Sequence, residues 1–346
     1  MWHTPAVSRR RRFRDRAIAT AVDTGARSLS RLGRLHPKAR HSAHGVEVVA
    51  NIPYGDEHRA QRLDLYCPTR TPGPWPVVFY VHGGGFSILS KDTHWAMALS
   101  FAARGYLVVN IDYRLAPEHR FPIPLQDVLL AYAWTLDHVA EYGGDAGRIV
   151  LAGESAGANL VLATTLATIH ARPEPWANVL YERGRVPDAV LPACGILQVT
   201  NIDRFAQGDS TPSAFVMSRI VGVGRSYIGS AAHRSRAPEP GPLDFADPLV
   251  WIERGDVGSR SMPPVFAPVG GADPLLADTV RLEQALTGQG VRCEAPIYPG
   301  ARHAFHALVW RSQARQCWRD TQRFLSDVLQ RDGTPASPGG GYSPSR

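Results

Sequence analysis

Apolar residues along this chain fall into short runs separated by stretches of helical periodicity. Runs lie at 77–82, 107–113, 148–153, 189–199, 265–269 and 293–298, and several are nearly continuous in Val, Ile, Leu and Phe. Such near-continuous runs predict strands covered on both faces. Segments 46–52 and 62–67 predict a leading antiparallel pair. Between the runs, helical patterns predict helices at about 92–104, 123–141, 156–170, 277–289 and 310–330. Alternating strands and helices imply an α/β fold: a mostly parallel sheet, right-handed crossovers and helices on both faces. No internal repeat interrupts it.

Three segments depart from this rhythm. Residues 13–35 predict a helix with an Arg-rich face, because Ile18, Val22, Leu29, Leu32 and Leu35 recur near helical spacing. Roughly 65 residues separate the run ending at 199 from the one starting at 265, and they are rich in Gly, Pro, Ser and Arg. A connection that long in an α/β domain is usually a lid or cap. The Pro/Gly/Ser-rich end reads as an unstructured tail. The expected division is an arm and cap helix at 1–45, a catalytic domain at 46–330 with a cap insertion at about 200–262, and a tail at 331–346.

Charge changes the picture only at one end. The 346 residues hold 38 Lys+Arg and 31 Asp+Glu, a net +7. Residues 1–40 carry eleven basic and two acidic side chains, so the remainder carries 27 basic against 29 acidic. The basicity belongs to an arm and not to a folded face, which argues against nucleic acid as a partner. Arg9 to Arg16 offer contact with an acidic membrane surface, but a solvated arm is the favoured reading. The arm continues into Asp23, Arg27, Arg31 and Arg34, which break any secretory apolar run. Cys67, Cys194, Cys293 and Cys317 lie far apart without a C-x-x-C pair. That suits buried thiols in a reducing compartment, and the expected location is cytoplasmic.

The strongest chemical signal is Gly153-Glu154-Ser155-Ala156-Gly157, between the run at 148–153 and the helix at 156–170. G-x-S-x-G at a strand-to-helix turn forces the serine into a strained, exposed position where bulky neighbours collide. The new helix aims free N–H groups at the same point. A second signal is His82-Gly83-Gly84-Gly85-Phe86, directly after the run that begins at 77. Consecutive glycines let backbone N–H groups approach a ligand, and two of them with that of Ala156 make an oxyanion hole. Neither a P-loop nor a G-x-G-x-x-G dinucleotide loop is present.

A protonated serine is a poor nucleophile and needs a base. In α/β-hydrolase order an acid and then a histidine follow the serine. His303 sits just after the last strand and is preferred over His306. Ala-Asp-Pro-Leu occurs twice, at Asp247 and Asp273. Asp273 follows a strand, at the end of the sheet where α/β sites lie, and is preferred over Asp247 and Asp278.

These residues resemble the hormone-sensitive-lipase-like family of α/β-hydrolases, a group of carboxylesterases. The resemblance runs over much of residues 60–325. It rests on the two glycine motifs, on Asp112-Tyr113-Arg114-Leu115-Ala116-Pro117-Glu118-His119-Arg120-Phe121-Pro122, on Asp273-Pro274-Leu275 and on His303-Ala304-Phe305. It implies Ser155, Asp273 and His303 as the triad and Gly83, Gly84 and Ala156 as oxyanion donors. It also implies small esters with short to medium acyl chains as substrates, and neither metal nor organic cofactor. Arg114 and Glu118 are expected to brace the glycine loop. Phe86, Trp95, Phe205, Phe215 and Trp251 are candidates for an acyl pocket, although such aromatics are more often core. The rival readings are an amidase and a non-catalytic ligand receptor on the same fold; the presence of His303 weighs against the receptor.

Overall fold

Apolar runs along the chain become strands of one eight-stranded sheet in the computed structural model, which describes residues 9–206, 213–229, 241, 243–256 and 258–330. The first elements are α1 (Arg9–Arg34), β1 (Val46–Pro53), β2 (Arg62–Pro68), β3 (Trp75–Val81), α2 (Trp95–Ala102) and β4 (Leu107–Ile111). Next come α3 (Ile123–His138), β5 (Gly144–Glu154), α4 (Ala156–Ile169), α5 (Pro175–Glu182) and β6 (Ala189–Ala193). Then follow α6 (Ala214–Ile228), α7 (Pro248–Arg254), β7 (Val265–Phe266), β8 (Val269–Gly270), α8 (Leu276–Gly288), β9 (Cys293–Glu294), β10 (Ile297–Tyr298) and α9 (Ser312–Leu329).

The strand order is β1-β2-β4-β3-β5-β6-β7-β9. The β1–β2 and β2–β4 pairs are antiparallel, and every other pair is parallel. All parallel strands therefore end on one edge, and the chemistry-bearing loops start there. Side chains of β3 alternate between two core layers, as the pleat requires. Val77, Phe79 and Val81 face the layer that includes residues of α3 and α4, while Val78 and Tyr80 face the layer that includes residues of α2 and α9. Burying each such side chain contributes about 1.5–3 kcal/mol. Among the described residues, no helix is long and apolar enough to cross a membrane. All four cysteines are unpaired.

Several boundaries differ from the sequence reading. The run at 189–199 is a strand only to Ala193; Cys194 then takes φ 41° and the chain leaves the sheet. The runs at 265–269 and 293–298 are each split, with Pro268 and Pro296 between their halves. Proline lacks the N–H that a ladder needs. The second halves, β8 and β10, pair with each other in parallel. Helix α5 lies in the stretch between 170 and 189, for which no element was predicted; Pro175 opens it at a position that suits proline. The long excursion holds α6 and α7, and residues 207–212, 230–240, 242 and 257 of it fall outside the described residues, as does the expected tail at 331–346.

Helix α1 exists, but its leucines do not face the core. Leu29 and Leu32 are 72% and 64% exposed, and Leu35, just past the end of the helix, is 78% exposed. Polar contacts dock the helix instead. Asp23 accepts the Leu89 N–H at 2.8 Å, and Ser30 and Arg34 donate to the carbonyl of Asp92 at 2.7 and 3.0 Å. Helix α6 touches the other side of the loop after β3. The Phe86 and Tyr227 rings stack with centroids 3.7 Å apart, and the Ser87 and Ser226 hydroxyls are 2.8 Å apart.

The 112–122 stretch braces that loop from below. The Tyr113 ring stacks on His82 at 4.4 Å, its hydroxyl donates to the His82 carbonyl, and the Ala116 N–H donates to the Phe86 carbonyl. Arg114 forks onto Asp127, whose side chain is 1% exposed. Removing Arg114 leaves a buried carboxylate without its cation. Arg114→Ala is therefore expected to lose about 3–5 kcal/mol in urea unfolding; a loss below 0.5 kcal/mol is the contrary result.

Burial pushes the Asp112 carboxyl up to about 6, with the Lys91 N–H and ammonium offsetting only part of that cost. A carboxyl raised on folding makes the folded state the tighter proton binder, so stability falls as pH rises from about 4 to about 6. Asp112→Asn keeps an acceptor for the Lys91 N–H, now 2.7 Å away. It is expected to stabilise the protein by about 1–3 kcal/mol at pH 7.5 and by nothing below pH 4. Denaturant titrations at the two pH values check this, and equal effects at both contradict it.

Candidate active site

Four strand ends deliver the side chains of interest. Strand β5 ends at Glu154 and α4 begins at Ala156, so Ser155 occupies the turn between them with φ 56° and ψ −114°. This strained backbone persists because its surroundings leave no alternative. A Cβ at Gly157 would meet the Val81 carbonyl oxygen at 2.1 Å, and one at Gly153 would meet Gly157 backbone atoms at 2.6 Å. The elbow is thus wedged against the end of β3, and only glycines fit at those two positions. The Ser155 N–H is tied to the Ala193 carbonyl at 3.0 Å, on the next strand.

Asp273 follows β8, and its side chain is fully buried. Its Oδ1 accepts the Leu275 N–H at 2.8 Å, which fixes the carboxylate from behind. His303 follows β10, on a turn completed by Ala304 at φ 54°. Its Nδ1 lies 2.9 Å from Asp273 Oδ2 and 3.1 Å from Oδ1, and its Nε2 lies 3.0 Å from Ser155 Oγ. The ring is 36% exposed, so it borders solvent on one side while the acid behind it is dry. Burial alone would lower the His303 pKa. The hydrogen bond and charge of Asp273, together with the charge of Glu154, outweigh burial and raise it above its ordinary value. The structure therefore brings Ser155, His303 and Asp273 into one hydrogen-bonded line.

The rejected candidates lie elsewhere. Asp247 is buried and receives the Val199 and Thr200 N–H groups and the Thr200 hydroxyl. Asp278 receives the Leu197 N–H at 2.9 Å and pairs with Arg204. Both tie down the segment that leaves β6. His306 is buried behind the elbow, with Nε2 3.7 Å from Glu154 Oε2. Among the aromatics, Phe86, Phe205 and Trp251 are buried core side chains. Trp95 is partly buried against the core layer beneath α2, and the Phe215 side chain lies outside the described residues.

The glycine loop requires one correction. The Gly83 N–H, expected among the oxyanion donors, donates to Glu154 Oε1 at 3.1 Å. A donor already engaged by a buried carboxylate is not free for a substrate oxygen. Gly84 and Gly85 take φ 103° and 57°, conformations that suit glycine, and neither N–H has an acceptor among the described residues. Side chains are also crowded out there: a Cβ at Gly84 would meet the Ile88 carbonyl oxygen at 2.1 Å, and one at Gly85 would meet Val223 of α6 at 2.7 Å. Ala156 is the first residue of α4, where the helix leaves N–H groups unsatisfied. Three consecutive glycines in sequence signalled the loop but not which of its amides is free.

His82 is fully buried, and burial holds its pKa down to about 3, so it is a neutral ring propping the loop. Among the described residues, the group with metal-ligand spacing is Cys194, Asp273 and His303, whose ligand atoms lie within 4.8 Å of one another. The Asp273 carboxylate already engages His303 Nδ1.

Residues 78–307 match the family model for the α/β-hydrolase fold. Among curated proteins, the chain is 32% identical over 264 residues to the esterase LipI of Mycobacterium tuberculosis, covering 75% of this chain and 73% of that one. It is 30% identical over 246 residues to the carboxylesterase NlhH of the same species, covering 70% of each. Among solved structures, esterase LipW from Mycobacterium marinum superposes with a TM-score of 0.70 at 24% identity, covering 90% of each chain. The thermostable carboxylesterase EstE1, cloned from a metagenomic library, gives 0.68 at 23% identity, covering 90% of this chain and 98% of that one. The chain belongs to the α/β-hydrolase family, among the hormone-sensitive-lipase-like carboxylesterases.

Proposed function

We propose that this protein hydrolyses small carboxylic esters through an acyl-enzyme on Ser155, with His303 as base and Asp273 as its partner. The observation that carries this reading is the unbroken hydrogen-bonded line from Asp273 through His303 to Ser155 Oγ. His303 Nε2 takes the hydroxyl proton as Oγ attacks the ester carbonyl. Asp273 holds the proton on Nδ1 and stabilises the imidazolium that forms. The carbonyl oxygen becomes an oxyanion, and the free N–H groups of Gly84, Gly85 and Ala156 are the donors assigned to it. Each such donor contributes about 3 kcal/mol to the transition state. The imidazolium then protonates the leaving alcohol. Water enters, gives a proton to the same nitrogen and attacks the acyl carbon; the imidazolium then returns a proton to Ser155 Oγ as the acyl–oxygen bond breaks and the acid leaves. Every step is a proton or acyl transfer between groups of the chain and the substrate.

The substrate class proposed is uncharged esters with short to medium acyl chains. Two features support it: the relatives named carboxylesterase and acetyl esterase, and helix α6 packed directly on the glycine loop. A p-nitrophenyl ester series from acetate to decanoate, with a matched anilide, tests both the chemistry and the length.

Ser155→Ala is expected to lower kcat about 10⁴-fold or more, and Asp273→Asn about 10²–10⁴-fold. Turnover needs neutral His303. Its pKa is raised, so kcat/KM falls as pH drops through a value above 6.5, and Asp273→Asn moves that limb downward. A Ser155→Ala protein with wild-type ester turnover, or an acid limb that does not move in Asp273→Asn, contradicts the reading.

A further inference from the structure

A second carboxylate lies beside the nucleophile and takes no part in the proton relay. Glu154 is the last residue of β5 and is 5% exposed. Oε2 accepts from the Tyr80 hydroxyl on β3. Oε1 accepts from the Gly83 N–H and lies 2.6 Å from Nε2 of His94, just ahead of α2. Two donors, from Tyr80 and Gly83, and the His94 ring thus converge on one buried acid, which ties β5, β3, the glycine loop and the start of α2 together. A Cβ at Gly83 would lie 2.9 Å from the Glu154 carbonyl oxygen, so loop and elbow are already in contact at this point.

The position of this clamp is what matters. The engaged amide belongs to Gly83, and the next two amides, of Gly84 and Gly85, are the free ones. Fixing the first peptide of the loop against the elbow sets the direction in which the next two N–H groups point. Behind the carboxylate lies a cavity of about 30 Å³, lined by apolar side chains such as Met97, Phe101, Phe266 and Trp318, together with His306. Glu154 itself is 5% exposed, so little solvent screens its charge.

We propose that Glu154 is a positioning residue for ester hydrolysis: its carboxylate locks the glycine loop to the elbow through the Gly83 N–H, and its negative charge favours the imidazolium of His303 as it forms. The inference rests on the reading of Ser155 as nucleophile. The groups that face the two carboxylates bear on its pH dependence. Around Glu154 stand Tyr80, His94 and His306, with His82 stacked 5.5 Å from His94. Burial keeps His94 down at about 4 and His82 at about 3, so both rings are neutral near pH 7. Beside His303 stand Asp273 and the Cys194 thiol, which burial keeps protonated. The two acids that raise the His303 pKa are thus Asp273, which bonds to it, and Glu154, which acts through space.

The test compares full-length wild type, Glu154→Gln, Glu154→Asp and Ser155→Ala with p-nitrophenyl butyrate, reading kcat, KM, the pH profile of kcat/KM and the thermal midpoint. Glu154→Gln is expected to lower kcat about 10- to 100-fold with KM within about threefold, because the loss falls on the transition state. Its acid limb is expected to move down by about half a pH unit. Glu154→Asp keeps the charge on a shorter reach, so its kcat falls while its acid limb stays with the wild type. A purely structural role would shift the thermal midpoint and leave the limb in place. Should Glu154→Gln fail to fold, Tyr80→Phe removes one donor to the carboxylate, keeps the ring, and is expected to lower kcat severalfold at unchanged KM. A folded Glu154→Gln with wild-type kcat and an unmoved limb overturns the inference, provided Ser155→Ala is inactive. An active Ser155→Ala overturns the reading of the site itself.

Discussion

The close approach of β3, β5 and α4 at the Ser155 turn is the constraint on which the rest depends. Gly157 sits where a methyl group would strike the Val81 carbonyl oxygen, and Gly153 sits where one would strike Gly157. With those two positions reduced to backbone, the strand-to-helix turn tightens until Ser155 has no relaxed conformation left. Its hydroxyl is thereby pushed out at the C-terminal edge of the sheet. The start of α4 and the glycine loop after β3 are brought to the same edge by the same contact. A larger residue at 153 or 157 would separate the two strands' ends, and with them Ser155 and the amides beside it. Strain here is held by packing: α4 is buried along its whole length.

Around that wedge, buried carboxylates do the work of fixing loops. Asp127 anchors the brace below the glycine loop through Arg114 and the Gln61 amide. Asp247 and Asp278 hold the segment leaving β6 by accepting its backbone N–H groups. Glu154 does the same for Gly83. Loops carry orphan backbone donors, and a buried carboxylate with two oxygens can satisfy several at once. Asp273 belongs to the same set of buried acids, but it turns one oxygen toward an imidazole at the rim of the site. That difference in partner, more than any difference in burial, separates it from Asp247, which shares its Ala-Asp-Pro-Leu surroundings.

Much of this arrangement was legible in the sequence because it depends on local spacing. The G-x-S-x-G turn, the glycine run after a strand and the histidine after the last strand each act over a few residues, and each lands at the sheet edge. The separation of Asp273 from Asp247 followed from a preceding strand, which is also local. What was not legible depends on contacts distant along the chain. Nothing near Gly83 reveals that Glu154, 71 residues later, takes its N–H. The leucines of α1 carry helical spacing, yet the helix docks by Asp23, Ser30 and Arg34 against 89–92 and leaves them outward. Pro268 and Pro296 are visible in the sequence as strand breakers, and each splits the strand predicted around it. Helix α5 is short and carries a proline, although that proline marks its first turn.

The central claim is that Ser155 is activated by His303 at a pre-arranged cluster of amide donors. Fluorophosphonate labelling mapped by peptide mass spectrometry tests it most directly, because the reagent traps a serine only where a base and an oxyanion site act on it together. A single phosphonyl group is expected on the peptide containing Ser155, formed at least about 100-fold more slowly in His303→Ala. Label on another residue, or equal rates in the wild type and His303→Ala, would contradict it.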